Sequence, residues 1–114
     1  MKHYLISFPA SAMDHISQAD LPAVSESSHA VIREAKAAGV YVFGGGINES
    51  VLPVMVSASG AASPGTYAET AKLNGGFCVL KVPSREEAQR WAAKIAAGCR
   101  CAQELREFMY DPES

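Results

Sequence analysis

From Tyr67 to Ala88 the chain runs without a break through a turn, a strand and a capped helix, and this run limits what the rest can become. Gly75-Gly76 opens a strand predicted over Phe77 to Val82, and Pro83 closes it. Ser84 followed three residues later by Glu87 is a capping box, in which the serine hydroxyl and the glutamate carboxylate each satisfy a free amide at the helix start. Behind it Ala88, Trp91, Ala92, Ile95 and Ala96 repeat at i, i+3, i+4, i+7 and i+8, so one side of this helix is core. Gly98 is expected to end it.

The first half reads less sharply. His3 to Phe8 is aromatic and branched and stops at Pro9, as a first strand does. Residues 9–19 read as a loop. A helix is predicted from Asp20, with Pro22 in its first turn, a stripe of Val24, Ser28, Val31, Ile32, Ala35 and Ala38, and Gly39 as its stop. Val40 to Phe43 read as a second strand that runs into Gly44-Gly45-Gly46, where three glycines permit a bend or bulge. Val51 to Ser57 read as a third strand, placed on an edge or started near Pro53 because proline donates no ladder hydrogen bond. Ala58 to Pro64 is turn-like, and Ala102 to Met109 is predicted as a last strand before an acidic tail.

The order strand, helix, strand, strand, strand, helix, strand is close to the split βαβ pattern of a ferredoxin-like α+β domain. Two helices cover one face of such a sheet. The other face carries Val, Phe and Leu, at about 25 cal/mol for each Å² of apolar surface left in water, so a second copy is its expected cover and the expected assembly is a homodimer forming a dimeric α+β barrel. A chain of 114 residues suffices for one domain, 1–114. Its apolar runs fall far short of the roughly 20 residues of a membrane span, and its start lacks the apolar stretch of a signal peptide, so no membrane partner and a cytoplasmic location are expected. With net charge −2 and scattered Lys and Arg, it offers no basic face to nucleic acid. Cys78, Cys99 and Cys101 are odd in number and are expected to stay reduced.

The run from Tyr67 to Ala88 resembles the second half of the YCII-related (DGPF) domain family. The likeness extends to the opening strand, to His29 through Gly46, to Val82 through Ala97 and to Glu104-Leu105-Arg106. The name-giving turn of that family reads Asp-Gly-Pro-Phe or Asp-Gly-Pro-Tyr, and the matching positions here are Pro64-Gly65-Thr66-Tyr67. Glycine and the aromatic are kept, and the aspartate is lost. The resemblance implies a small dimeric α+β protein; where relatives pair that carboxylate with a histidine, this chain uses another acid or none. Related domains also occur with transcription regulators, which implies a ligand-sensing or protein-docking module as the alternative to an enzyme.

Among residues that carry chemistry, His29 is the candidate general acid or base, because imidazole alone titrates near neutrality without help. It falls about 120° from the centre of the apolar stripe, at the border of core and surface. Glu69 is the candidate carboxylate partner. It lies two residues after Tyr67, so in an extended turn both leave on one face and a carboxylate sits beside a phenol. Glu104 and Arg106 share a strand face by the same period and line an inter-sheet cavity or form cross-strand ion pairs. The expected pocket lies between the first helix, the Tyr67 turn and the facing sheet. Cys99-Arg100-Cys101 lacks metal-ligand spacing, and Gly44-Gly45-Gly46 leads into a strand and not into the helix that a dinucleotide fingerprint requires, so neither a metal nor a cofactor is expected. The function expected is binding of a small polar metabolite, with acid/base catalysis by His29 and Glu69 and ligand contacts from Tyr67, Glu104 and Arg106.

Overall fold

Alternation along two strands, β1 (Lys2–Phe8) and β5 (Gly76–Val82), decides the layering of the molecule. Tyr4, Ile6, Cys78, Leu80 and Val82 turn to one face and are buried, whereas Leu5, Ser7, Phe77 and Val79 turn to the other. The computed structural model describes all 114 residues. The remaining elements are α1 (Leu21–Ala37), β2 (Tyr41–Gly46), β3 (Val54–Val56), β4 (Ala62–Pro64), α2 (Arg85–Cys99) and β6 (Glu104–Glu107), with short 3₁₀ turns at Ala10–Met13 and Ala68–Thr70. The main sheet is antiparallel in the order β2-β5-β1-β6, with both helices on one face, and this is the ferredoxin-like arrangement expected. No helix is long and apolar enough to cross a membrane.

The third predicted strand departs from that plan. It shrinks to β3 and pairs with β4, inside the stretch expected to be a turn, as a separate two-stranded hairpin off the main sheet. Pro53 lies just before β3, so its missing donor costs no ladder bond. The bulge near the glycine run falls earlier, between Tyr41 and Phe43, while Gly44, Gly45 and Gly46 pair in register with β5. Gly44 lies beneath the Tyr41 hydroxyl, where an added Cβ would come within 2.8 Å of it.

Helix ends follow their sequence signals unequally. Gly39 takes φ +74° after α1, the left-handed value that a C′ glycine supplies. Ala38, expected on the apolar stripe, is instead the exposed C-cap. Gly98 does not stop α2; it is buried inside the helix, with its α-carbon hydrogens against Ser27 and Ser28 of α1, and the left-handed end falls at Arg100, φ 57°. Half of the capping box forms. Ser84 Oγ accepts the Glu87 amide at 3.2 Å, while the Glu87 carboxylate turns outward to Arg90. His15, from the segment before α1, places Nε2 at 2.7 Å from the Arg100 carbonyl and so satisfies the end of α2.

One face of the main sheet is left open. The molecule measures 43 × 42 × 20 Å, and its radius of gyration of 15.6 Å exceeds the roughly 13 Å of a compact chain this long. Its accessible surface is 7756 Å², against about 6,000 Å² for a monomer of 12.1 kDa. Phe43 is 67% exposed on β2, beside the half-buried Phe77 and Val79.

Candidate functional site

Antiparallel register builds the site on the open face of the sheet. Ser7 lies between Phe77 of β5 and Glu104 of β6, and Leu5 between Val79 and Arg106, so two rows cross the three strands side by side. A cavity of about 430 Å³ opens over these rows. Leu5, Phe8, Phe77 and Leu73 supply its apolar wall, and Glu104, Arg106, Glu69 and Lys72 its charges. The 3₁₀ turn Ala68–Thr70 holds Glu69 and Thr70 at its rim. Gly75 and Gly76 let that rim approach the end of β1: a Cβ on Gly75 would stand 2.0 Å from the Phe8 carbonyl oxygen.

The charges are not equivalent. Arg106 donates to Glu104 at 2.8 Å along β6, a partly solvated pair that fixes the guanidinium in place more than it stabilises the fold. The cross-strand ion pairs weighed from the sequence do not form there. Glu69 and Lys72 hold no ion pair and are free to meet a ligand. Ser7 is the buried polar residue of the cavity, 4% exposed, and its hydroxyl enters no hydrogen bond within the chain. Such a hydroxyl at a cavity floor can both donate to and accept from a bound molecule. The four charges sum to zero, so the cavity suits a polar molecule without strong net charge.

The structure thus brings Glu69, Glu104 and Arg106 together and leaves two expected residues apart. Tyr67 is 67% exposed and does not line the cavity. The premise of a shared Tyr67–Glu69 face fails because the chain closes into a 3₁₀ turn at Ala68, and residues two apart on such a turn diverge. His29 is exposed on α1, on the opposite side of the sheet, with Ser25 Oγ 3.5 Å from Nδ1 as its polar neighbour. Helix α1 contributes nothing to the cavity, contrary to the expected pocket, because both helices pack on the other face. Ser7 and Lys72 were missed. The alternation of Tyr4, Ile6 and Phe8 marks Ser7 as lying on the opposite face, and nothing in the sequence marks its burial there.

A second cavity, about 740 Å³, lies at the other end of the open face under the C-terminal segment, with Lys2, His3, Lys81 and Tyr110 in its lining. No three His, Cys, Asp or Glu side chains gather anywhere to hold a metal ion. Cys78 and Cys99 are free and buried, and burial, with a neighbouring cysteine second, pushes both thiols up to about 11. They are inert thiols at neutral pH, not nucleophiles.

A helix-backed antiparallel sheet of this order defines a ferredoxin-like α+β domain, and this one carries a polar cavity on its bare face. Residues 9–108 match the YCII-related domain, and the chain belongs to that family. No curated protein matches the chain.

Proposed function

We propose that this YCII-related protein binds a small polar metabolite in the sheet-face cavity, as a homodimer whose two open faces cover each other. The observation that carries the proposal is the convergence of Glu69, Glu104 and Arg106 around Ser7, whose hydroxyl makes no hydrogen bond within the chain and is open to the cavity. About 430 Å³ falls within the roughly 300–1,000 Å³ typical of small-molecule sites. The dimer is supported by the surplus of exposed surface and by the apolar residues Phe43, Phe77 and Val79 on the face concerned. Binding without chemistry is favoured over acid/base catalysis, because His29 stands across the sheet from the cavity. If turnover occurs, Glu69 is the free carboxylate placed to move a proton.

A thermal-shift screen against a metabolite panel tests the reading, since a ligand that binds the folded state raises Tm. A hit is expected to lose its shift in Arg106→Gln and Glu69→Gln and to keep it in His29→Ala. A hit abolished by His29→Ala and untouched by the other two variants refutes the placement. Sedimentation should give about twice the 12.1 kDa chain mass. Val79→Lys, on the open face, should split the dimer and leave the helical content intact.

A further inference from the structure

The hairpin of β3 and β4 stands off the fold with its apolar side uncovered. Val54 pairs with Pro64 and Val56 with Ala62, so these four share one face, and Met55 with Ser63 share the other. Val54 and Val56 are 56% and 64% exposed, and Val51 and Leu52 just before them 66% and 77%. A two-stranded hairpin alone in water is marginal at best, yet this one is no part of the main sheet and makes no extensive contact with it or with the helices. No Asp, Glu, Lys, Arg or His occurs between Glu49 and Glu69. Absence of charge together with branched apolar side chains is the composition of a buried interface core, not of a solvated loop.

We propose that the β3–β4 hairpin is an arm that packs against a second copy of this chain, an inference that rests on the dimer reading and adds a second contact to it. A surface with no charge and with its branched side chains uncovered needs cover whenever the chain is folded, and a second copy is the partner supplied in fixed ratio with it. Two-fold symmetry then gives two arms, each chain lending one and receiving one. The areas agree. The surface in excess of a compact monomer is about 1,700 Å² per chain, roughly twice the 800 Å² that each partner buries in a complex of standard size. That leaves room for the arm as well as the sheet face. The returning strand β4 leads through Gly65 and Tyr67 into the 3₁₀ turn that carries Glu69, so a docked arm also steadies one rim of the cavity.

The test is the double variant Val54→Asp/Val56→Asp, compared with Ser63→Asp on the opposite hairpin face and with Val79→Lys on the sheet. The arm variant is expected to keep the circular dichroism of the wild type, because the hairpin lies outside the core, and to weaken dimerisation at least 100-fold by sedimentation. Ser63→Asp is expected to leave it unchanged. In the wild type, amide protection across Val54–Val56 should fall on dilution through the dimer dissociation constant. An arm variant that dimerises like wild type while Val79→Lys splits the dimer overturns the arm and leaves the sheet-face dimer standing. Hairpin amides that stay protected in the monomer likewise overturn the arm. A wild type that is monomeric at every concentration overturns both.

Discussion

Gly98 offers a test in which two opposing terms of similar size have to be weighed. In Gly98→Ala the helix gains about 1 kcal/mol, because alanine loses less backbone entropy than glycine in a helix interior. Against this, the new Cβ would stand 3.0 Å from the Ser27 carbonyl oxygen, 3.2 Å from Ser28 Cα and 3.3 Å from the Ser27 carbonyl carbon. All three are backbone atoms of α1 and cannot swing aside as a side chain would. Relief requires the helices to part by a few tenths of an ångström, and overpacking of this kind costs roughly 1–3 kcal/mol. Parting also stretches the hydrogen bond that Ser27 Oγ donates to the Gly98 carbonyl at 2.6 Å, worth about 1 kcal/mol. The packing loss exceeds the propensity gain, and a net destabilisation of about 1–2 kcal/mol is expected. For a domain of this size that is roughly 4–10 °C in Tm. The assay is urea denaturation at fixed protein concentration, with an unchanged m value as the sign that both variants unfold from similar native states. Ala97→Gly, at the exposed neighbouring position, measures the propensity term separately and should cost about 1 kcal/mol. A Gly98→Ala protein as stable as wild type, or more so, would refute the close-packing assignment and restore the glycine to a mere helix breaker.

Three further outcomes are expected. Ser84→Ala should cost about 1 kcal/mol by urea denaturation, since it frees the Glu87 amide, whereas Glu87→Gln should change stability by a few tenths, its carboxylate being spent on exposed Arg90. Gly75→Ala should destabilise by about 3 kcal/mol or more in the same assay, because its Cβ would overlap the backbone of Phe8 and Pro9, and a variant of wild-type stability would show that the β1–β5 junction is looser than it stands. Cys78 and Cys99 make stability pH-dependent on the alkaline side: their folded values near 11 lie above the ordinary 9.0, so the unfolded chain releases its protons first. Their contribution is fully present below pH 9 and is lost as the pH rises toward about 11, and replacing both by Ala should flatten that limb of the stability curve.

Local signals carried the parts of the fold that local chemistry decides. The apolar stripe of α2 needs only the 3.6 period, and Trp91 and Ile95 are buried where that period puts them. Gly39 adopts positive φ because a residue with a Cβ strains there. Gly98 misled for the opposite reason. A helix-breaking glycine and a glycine that admits a neighbouring backbone look alike until the second helix is in place. The hairpin escaped notice because Ala62-Ser63-Pro64 has poor strand propensity, and its pairing with Val54–Val56 comes from the turn between them, not from its own side chains.

The cavity was half legible for a related reason. Period two put Glu104 and Arg106 on one strand face, and they do share it, but their neighbours depend on the register of β6 against β1, a contact about a hundred residues apart in sequence. That register also sets Ser7 between Phe77 and Glu104, at the floor of the cavity rimmed by Glu69 and Leu73. The same geometry changes what the lost family aspartate means. Pro64 is the last residue of β4, exposed and paired with Val54, so a carboxylate at this position would lie on the hairpin and not in the cavity of its own chain. Its replacement by proline leaves Glu69, Lys72, Glu104 and Arg106 as they are. What it removes is the one charge that the family motif would put on this hairpin, which suits the proposed packing of that segment against a second copy.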